Sequence, residues 1–425
     1  MPDQREWFCG GLRPSSCQES PMRRRQLLQQ LGALAAGTPL AGSASGDLLV
    51  SVNREVLLHG RDGAGTNWFH PRPCRLPDGR IFMTLQPILG SDDFGPVHAT
   101  TSGDLGRHWS PPQPVPPLGR VTVKDPLVEG VCDVVPEWHA ASGSLLALGH
   151  NVFYTGPGFS KNQPPRWPVY AVWKDGAWGP RRKLEWDDPR GSEIYSNNCG
   201  QRVNLEDGRI AMAFTHGAQG QPRAVSGVIS TFEDGILRVQ EVGPALEHPH
   251  GRGLLEPSVA RFDGRFFLTL RAEDGRGYVS TSPDGLRYAP HRPWTWDDGE
   301  ALEMSTTQQH WLVHSEALFL VYTRRDASNT NVTRWRSPLW MAQVDPDTLR
   351  LLRATERVVL PLVGDGVNAP DGVALMGNFH VIQASPEESW VTVGEWHPRQ
   401  LSRGGDVLLA RLRWRRPNRA AAAGQ

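Results

Sequence analysis

The sequence has no excess of charge of either sign. Lysine and arginine together number 45, and aspartate and glutamate together also number 45, so the formal net charge is zero. Without a net positive field the chain has no long-range attraction for nucleic acid or for an anionic membrane surface. We therefore expect neither as a partner, and we interpret the short basic segments 181–183 and 413–416 as solvated surface.

Cysteine is also scarce, with five residues in a chain of 425. Only Cys74, Cys132 and Cys199 lie beyond the first 45 residues, and their spacing matches neither a disulfide framework nor a zinc site. We interpret them as small buried apolar residues. The sequence therefore predicts no metal site and no cofactor, although loop aspartates and carbonyl oxygens can hold Ca²⁺ in a fold of this kind.

Long apolar runs are missing as well. The apolar segment at residues 31–36 is too short to span a bilayer, and it lies between Arg23-Arg24-Arg25 and the small residues at 41–44. This order resembles a twin-arginine export signal, with Met22 as a candidate start, although a disordered basic tail has the same composition. We expect an amino-terminal extension over residues 1–45, a single domain over residues 46–425, and export to the periplasm or the medium.

Replacing Arg24 and Arg25 by lysine tests the export prediction. A twin-arginine signal depends on both guanidinium groups, so the variant should remain in the cytoplasm of its host. The measurement is the amount of protein recovered from the periplasm, and equal recovery of variant and parent would contradict the prediction.

Helical periodicity is absent after about residue 45, whereas 45 glycines and 36 prolines punctuate the chain. An Asp-Gly pair between two β-type runs is the strongest short signal for a hairpin, and three such pairs, together with three weaker turns of similar context, define a repeat. The intervals between these turns, about 50 to 70 residues, are typical of propeller blades with long loops. The six predicted hairpin turns are Asp78-Gly79, Ser142-Gly143, Asp207-Gly208, Asp263-Gly264, His314-Ser315 and Pro386-Glu387.

Two turn motifs narrow the fold. Residues 102–109 have the pattern Ser-x-Asp-x-Gly-x-x-Trp, and a degenerate copy stands at residues 282–288. The pattern resembles the Asp-box of sialidase-like β-propellers, in which an aspartate bonds its own turn and an aromatic residue anchors the hairpin. The resemblance implies an all-β, six-bladed β-propeller of the sialidase-like superfamily that acts on a carbohydrate, and we expect a monomer.

Polar residues that precede the hairpin turns are the candidates for the central funnel, where the innermost strands of a propeller converge. Such residues are unusual in strands, and a ring of them from nearly every blade suggests a floor that binds sugar; the alternative is a set of hydrogen-bonded interior polar groups. The candidates for substrate binding are His70, Asp133, Asn198, Gln309, His310 and His380.

The segment from Glu256 to Arg271 resembles the sialidase segment in which a glutamate begins an inner strand and an arginine closes the returning strand. The resemblance implies that Glu256 is a catalytic carboxylate and that Arg271 binds the substrate carboxylate, for which a planar guanidinium is suited. It likewise implies that Asp92 is the general acid/base, with Asp93 as its substitute, and that Arg336 is a further substrate arginine. The alternatives are a structural Glu256–Arg271 pair and an ordinary aspartate turn.

Two departures from the sialidase pattern affect the chemistry. The first blade reads Phe69-His70-Pro71 where sialidases have Arg-Ile-Pro, although Arg72 follows closely. The last blade reads Gly377-Asn378-Phe379-His380, without the tyrosine nucleophile; Tyr154 and Tyr195 are tyrosines outside the family position.

The sequence thus favours an exo-acting glycoside hydrolase for an acidic glycan. Two alternatives stay open: a glycan-binding propeller without catalysis, and a polysaccharide lyase in which His70, His310 or His380 abstracts a proton.

Overall fold

The computed structural model describes residues 47–422, except for residues 162, 191–199 and 219. The predicted export signal, Asn198 and Tyr195 lie outside the described residues. Within them the chain is built from strands, and its helices are short 3₁₀ segments. These are Arg61–Gly63, Pro116–Leu118, Ala140–Ser142, Thr333–Trp335, Arg353–Thr355, Pro370–Gly372, Leu401–Arg403 and Arg419–Ala422. None of the described helices is long and apolar enough to cross a bilayer.

The strands are numbered in chain order. They are β1 Leu49–Leu58, β2 Trp68–Arg75, β3 Ile81–Gly90, β4 Asp93–Phe94, β5 His98–Ser102, β6 Gln113–Pro114, β7 Val121–Lys124, β8 Leu127–His139, β9 Ser144–Tyr154, β10 Pro168–Lys174, β11 Ala177–Trp178, β12 Arg182–Lys183, β13 Val203–Asn204, β14 Ile210–His216, β15 Ala224–Glu233, β16 Ile236–Val242, β17 Leu255–Phe262, β18 Arg265–Arg271, β19 Gly277–Ser282, β20 Arg292–Pro293, β21 His310–His314, β22 Ala317–Tyr322, β23 Leu339–Asp345, β24 Arg350–Leu351, β25 Arg357–Leu360, β26 Phe379–Ser385, β27 Glu388–Gly394 and β28 Val407–Trp414.

The strands form six antiparallel sheets, which are the blades of a six-bladed β-propeller, as predicted. Blade one is β2-β3-β5-β6, blade two is built on β8-β9-β10, and blade three is β13-β14-β15-β16. Blade four is β17-β18-β19-β20, blade five is built on β21-β22-β23, and blade six is β26-β27-β28-β1. The amino-terminal strand β1 pairs with the last strand β28, so the two ends of the described chain close one blade together.

Each predicted turn joins the first and second strands of one blade. The Asp-Gly turns place glycines at positive φ, for example Gly79 at 86° and Gly208 at 82°, which glycine adopts without the strain of a side chain. First strands of neighbouring blades contact one another, as β2 contacts β26 and β8, and β21 contacts β17 and β26. The first strands therefore surround the axis, and their polar residues lie near it.

The core lies between successive blades. Apolar faces of neighbouring sheets pack together, and large aromatic side chains such as Trp294, Trp311 and Trp390 are fully buried there. The two segments that match the Asp-box pattern form equivalent turns after the third strand of blades one and four. In each, the aspartate accepts bonds from the serine hydroxyl and from backbone amides of the turn, at 2.9 Å from Ser102 to Asp104 and 2.8 Å from Ser282 to Asp284.

Candidate functional site

Three first strands share a local irregularity that brings polar side chains to the axis. The pairing register shifts between Phe69 and Arg72 in β2, between Cys132 and Val135 in β8, and between Leu255 and Ser258 in β17. Each shift contains one residue with left-handed backbone, and these residues are His70 (φ 50°), Asp133 (φ 56°) and Glu256 (φ 46°). The backbone of a residue other than glycine is strained in this conformation, and such strain concentrates at functional sites.

Glu256 and Arg271 form a buried ion pair within the hairpin of β17 and β18. The Arg271 Nη1 atom donates to Glu256 Oε1 at 2.5 Å, and its Nε donates to Thr306 Oγ1 at 3.0 Å. Glu256 is 9% exposed and Arg271 is 4% exposed. The second carboxylate oxygen, Glu256 Oε2, is buried and has no hydrogen-bond partner among the described residues. It is therefore free to accept a bond from a ligand or a water.

Two more arginines stand beside this pair, and they come from the loop between β22 and β23. Burial, followed by the positive charges of Arg271 and Arg334, lowers the pKa of the Arg336 guanidinium to about 9. Arg336 Nη2 donates weakly to the Thr306 carbonyl at 3.4 Å, and its Nε has no partner within the described part of the chain. The charge of the buried Glu256 carboxylate acts on Arg336, whereas the exposed Arg334 is influenced by Glu273 and Asp92. Arg336 Nε is therefore the guanidinium nitrogen of this cluster that can bind an added anion.

Asp92 faces this cluster from the turn between β3 and β4. It is solvent-exposed, its φ is 58°, and its charge acts on both Arg334 and Arg336. Its neighbour Asp93 is buried and accepts a bond from Arg120 Nη2 at 2.5 Å. The two adjacent aspartates therefore differ: Asp92 is available over the arginines, and Asp93 is held by a structural partner.

A second polar group lies on the axis between blades one, two and six. Arg72 is fully buried and donates to Asp133 Oδ1 at 2.6 Å. Because it is engaged in this bond, Arg72 does not take the place of the arginine that sialidases have at the position of Phe69. His70 Nε2 lies 3.4 Å from the same carboxylate oxygen and 2.8 Å from the side-chain amide of Asn378. Burial lowers the pKa of His70 to about 4, so the ring is neutral at pH 7.

The other predicted residues are spread along the axis. Burial lowers the pKa of both His310 and His380, and their rings lie 5.5 Å apart. Gln309 turns into the blade interior, where its Oε1 accepts bonds from Thr269 Oγ1 and Trp294 Nε1. The Gln309 side-chain oxygen is therefore engaged in the core and is not presented to a ligand.

The opposite end of the axis has a recess of about 110 Å³. His380 lines it, together with Glu137 and Arg202, which pair at 3.2 Å. The ends of the axis therefore differ, with an arginine-rich cluster at one and a paired charge at the other.

The surroundings of Tyr154 do not suit a nucleophile. Its hydroxyl accepts a bond from the Phe94 amide at 3.3 Å, the Arg120 guanidinium lies over its ring at 4.0 Å, and burial raises its pKa. Arg334 and Thr306, which the sequence did not single out, also contribute to the arginine cluster. Asn378, which the sequence places beside His380 among the polar residues before the last turn, contributes to the axial group. The Arg-Trp-Arg spacing of residues 334–336 was the available signal for Arg334.

No protein-family model and no curated protein matches the sequence. Solved structures do match the fold. A protein of unknown function from Dyadobacter fermentans is 14% identical with a TM-score of 0.62, over 85% of this chain and 98% of that one. The Hadza microbial sialidase Hz136 is 13% identical with a TM-score of 0.58, over 84% and 68%. A mutant of the NanB sialidase from Streptococcus pneumoniae is 11% identical with a TM-score of 0.60, over 91% and 72%. The fold of this chain is therefore that of a sialidase-like six-bladed β-propeller.

Proposed function

We propose that the chain is an exo-acting glycoside hydrolase for a terminal acidic sugar. The observation that carries the proposal is the arginine cluster: Arg271, Arg334 and Arg336 lie together, Glu256 is the buried carboxylate beside Arg271 and Arg336, and Arg336 Nε is unpartnered among the described residues. A guanidinium nitrogen without a hydrogen-bond partner is costly, and a sugar carboxylate supplies the planar acceptor that guanidinium groups bind in bidentate fashion. The sialidase-like fold supports a carbohydrate as the ligand class.

Asp92 and Glu256 are the two carboxyl groups of the proposed reaction. Asp92, on an exposed turn above the arginines, protonates the leaving oxygen. Glu256 keeps Oε1 on Arg271 and uses Oε2, which has no partner in the described structure, to orient and deprotonate the attacking water. This route replaces the tyrosine nucleophile, since the last blade has Asn378, Phe379 and His380 at the corresponding place.

The first experiment is a turnover screen on aryl glycosides of acidic and neutral sugars, together with acidic polysaccharides. Release of the aryl group from acidic sugars alone supports the proposal. An unsaturated product from a polysaccharide, seen by its ultraviolet absorbance, would instead identify a lyase. Binding of acidic sugars without any turnover would identify a glycan-binding propeller.

Replacing Arg336 by methionine should weaken binding of an acidic monosaccharide by about 10-fold or more. The reason is the loss of a charged hydrogen bond, which contributes about 1.5–3 kcal/mol. Calorimetric titration with a uronic acid measures the effect, and the neutral sugar of the same configuration should bind parent and variant equally.

The matched control is Arg202→Met, because Arg202 is also buried and paired with a carboxylate, but at the opposite end of the axis. Its affinity for the uronic acid should equal that of the parent. Equal affinities of the Arg336 variant and the parent would remove the basis of the proposal.

A further inference from the structure

A second group of reactive side chains lies on blade two, beside the axial residues. Cys132 and Asp133 are consecutive in β8, and His150 lies opposite Cys132 on the neighbouring strand β9. The Cys132 sulfur is 3.3 Å from His150 Nε2 and 3.9 Å from Asp133 Oδ2. One sulfur, one nitrogen and one oxygen therefore lie within 4.8 Å of one another.

The bulge in β8 explains how neighbouring residues come to share one side. Successive side chains of a regular strand point to opposite faces of the sheet. Asp133 has left-handed backbone (φ 56°) at the register shift that follows Cys132, and this turns its carboxylate towards the thiol. The strained backbone at Asp133 thus brings a sulfur, a nitrogen and an oxygen donor together.

The surroundings orient these donors. Asp133 Oδ1 accepts the bond from Arg72 at 2.6 Å, which leaves Oδ2 directed towards the sulfur. Cys132 and His150 are each 1% exposed, whereas the Asp133 side chain is 14% exposed and lies at the open side of the group. Outer partners that fix a ligating carboxylate are a regular feature of metal sites.

We propose that Cys132, Asp133 and His150 bind a divalent transition-metal ion, with Zn²⁺ as the ion that suits the donors best. Thiolate, imidazole and carboxylate are the three protein ligands that zinc takes, whereas Ca²⁺ and Mg²⁺ require oxygen ligands only. Sulfur and nitrogen bonds of about 2.3 and 2.0 Å to one zinc ion place those atoms roughly 3.5 Å apart, close to the observed 3.3 Å.

Three protein ligands leave one tetrahedral position open, on the side of the exposed Asp133 carboxylate. This is the ligand number of zinc sites that accept water or a substrate atom. The thiolate and the carboxylate together neutralise the ion, so the loaded site carries no net charge beside Arg72 and the nearby Arg166, whose charge also acts on Cys132. The proposal revises the interpretation of Cys132 as only a small buried apolar residue, and it does not depend on the proposed hydrolase activity.

The test uses the full chain, stripped of metal with a chelator and titrated with Co²⁺ as a spectroscopic probe for zinc. We expect one equivalent to bind and to produce a thiolate-to-cobalt charge-transfer band, with visible bands of tetrahedral intensity. Zn²⁺ should displace the Co²⁺ and abolish the absorption. Absence of binding at one equivalent would overturn the proposal.

Variants assign the site. Cys132→Ser should lose the charge-transfer band and bind Co²⁺ at least about 10-fold more weakly, whereas Cys74→Ser, at another buried cysteine, should behave as the parent. A band that persists in Cys132→Ser would place the metal elsewhere. If Cys132→Ser fails to fold, His150→Gln and Asp133→Asn decide: weaker binding by both supports the site, and full affinity in both overturns it.

Discussion

Glu256→Gln should lower turnover of an aryl glycoside of an acidic sugar by about 10² or more, the usual scale for losing acid–base assistance. Glutamine keeps the shape of the side chain and an oxygen for Arg271, but it cannot take a proton from water. Binding of the acidic sugar should be retained or become tighter, because Glu256 no longer competes with the ligand carboxylate for Arg271. Steady-state kinetics and calorimetric titration on the same preparation measure both effects.

A structural role of the Glu256–Arg271 pair gives a different result. Breaking a buried pair costs about 3–5 kcal/mol, so the folded fraction falls and activity falls only in proportion. Glu137→Gln is the matched control, because Glu137 lies beside the buried Arg202 at the other end of the axis. This control should lose stability without losing turnover per folded molecule. The same behaviour in Glu256→Gln would refute its catalytic assignment.

The free energy of unfolding should fall steeply as the pH drops from about 6.5 to 4. Burial lowers the pKa of His216 to about 4 and that of His310 to about 3. Above pH 6.5 these rings are neutral in both states. Below it the unfolded chain binds protons that the folded chain does not, and this favours unfolding. At pH 4 each of these two rings lowers the free energy of unfolding by about 3 kcal/mol, so together they remove about 6 kcal/mol, a large part of the stability of a typical domain.

Urea unfolding at a series of pH values measures this dependence. His310→Gln should reduce the loss between pH 7 and pH 4 by about 3 kcal/mol, since one buried ring no longer titrates. His59→Gln is the control, because the His59 side chain is 72% exposed. The pKa of Asp133 is lowered, so this carboxylate changes the free energy of unfolding only below about pH 4. An unfolding free energy that is constant from pH 7 to pH 4 would contradict the prediction.

The hairpins and the propeller follow from local chemistry, and the sequence predicted them for that reason. Asp78-Gly79, Asp207-Gly208 and Asp263-Gly264 are turns because glycine adopts positive φ, which depends on no distant residue. Six turns at blade-like intervals were therefore enough to predict six blades. The pairing of Glu256 with Arg271 could also be predicted from the sequence, since the two residues belong to one hairpin.

The remaining features depend on contacts between distant parts of the chain. Arg334 and Arg336 come from another blade than Arg271, and only closure of the ring brings the three charges together. Spacing placed Arg72 near the missing first-blade arginine, but its bond to Asp133 on the next blade fixes it on the axis.

The donor group around Cys132 was unpredictable for a different reason, which is an irregularity within a single strand. Strand alternation separates the Cys132 side chain from Asp133, and the bulge that reverses this has no signature in the sequence. Local turn chemistry by itself thus determined the blades of this protein. Tertiary structure decided which charges meet at the axis, because Arg271 and Arg336 lie on different blades and come together only when the blades pack. The donor set of blade two depends on the backbone bulge at Asp133 within one pair of strands.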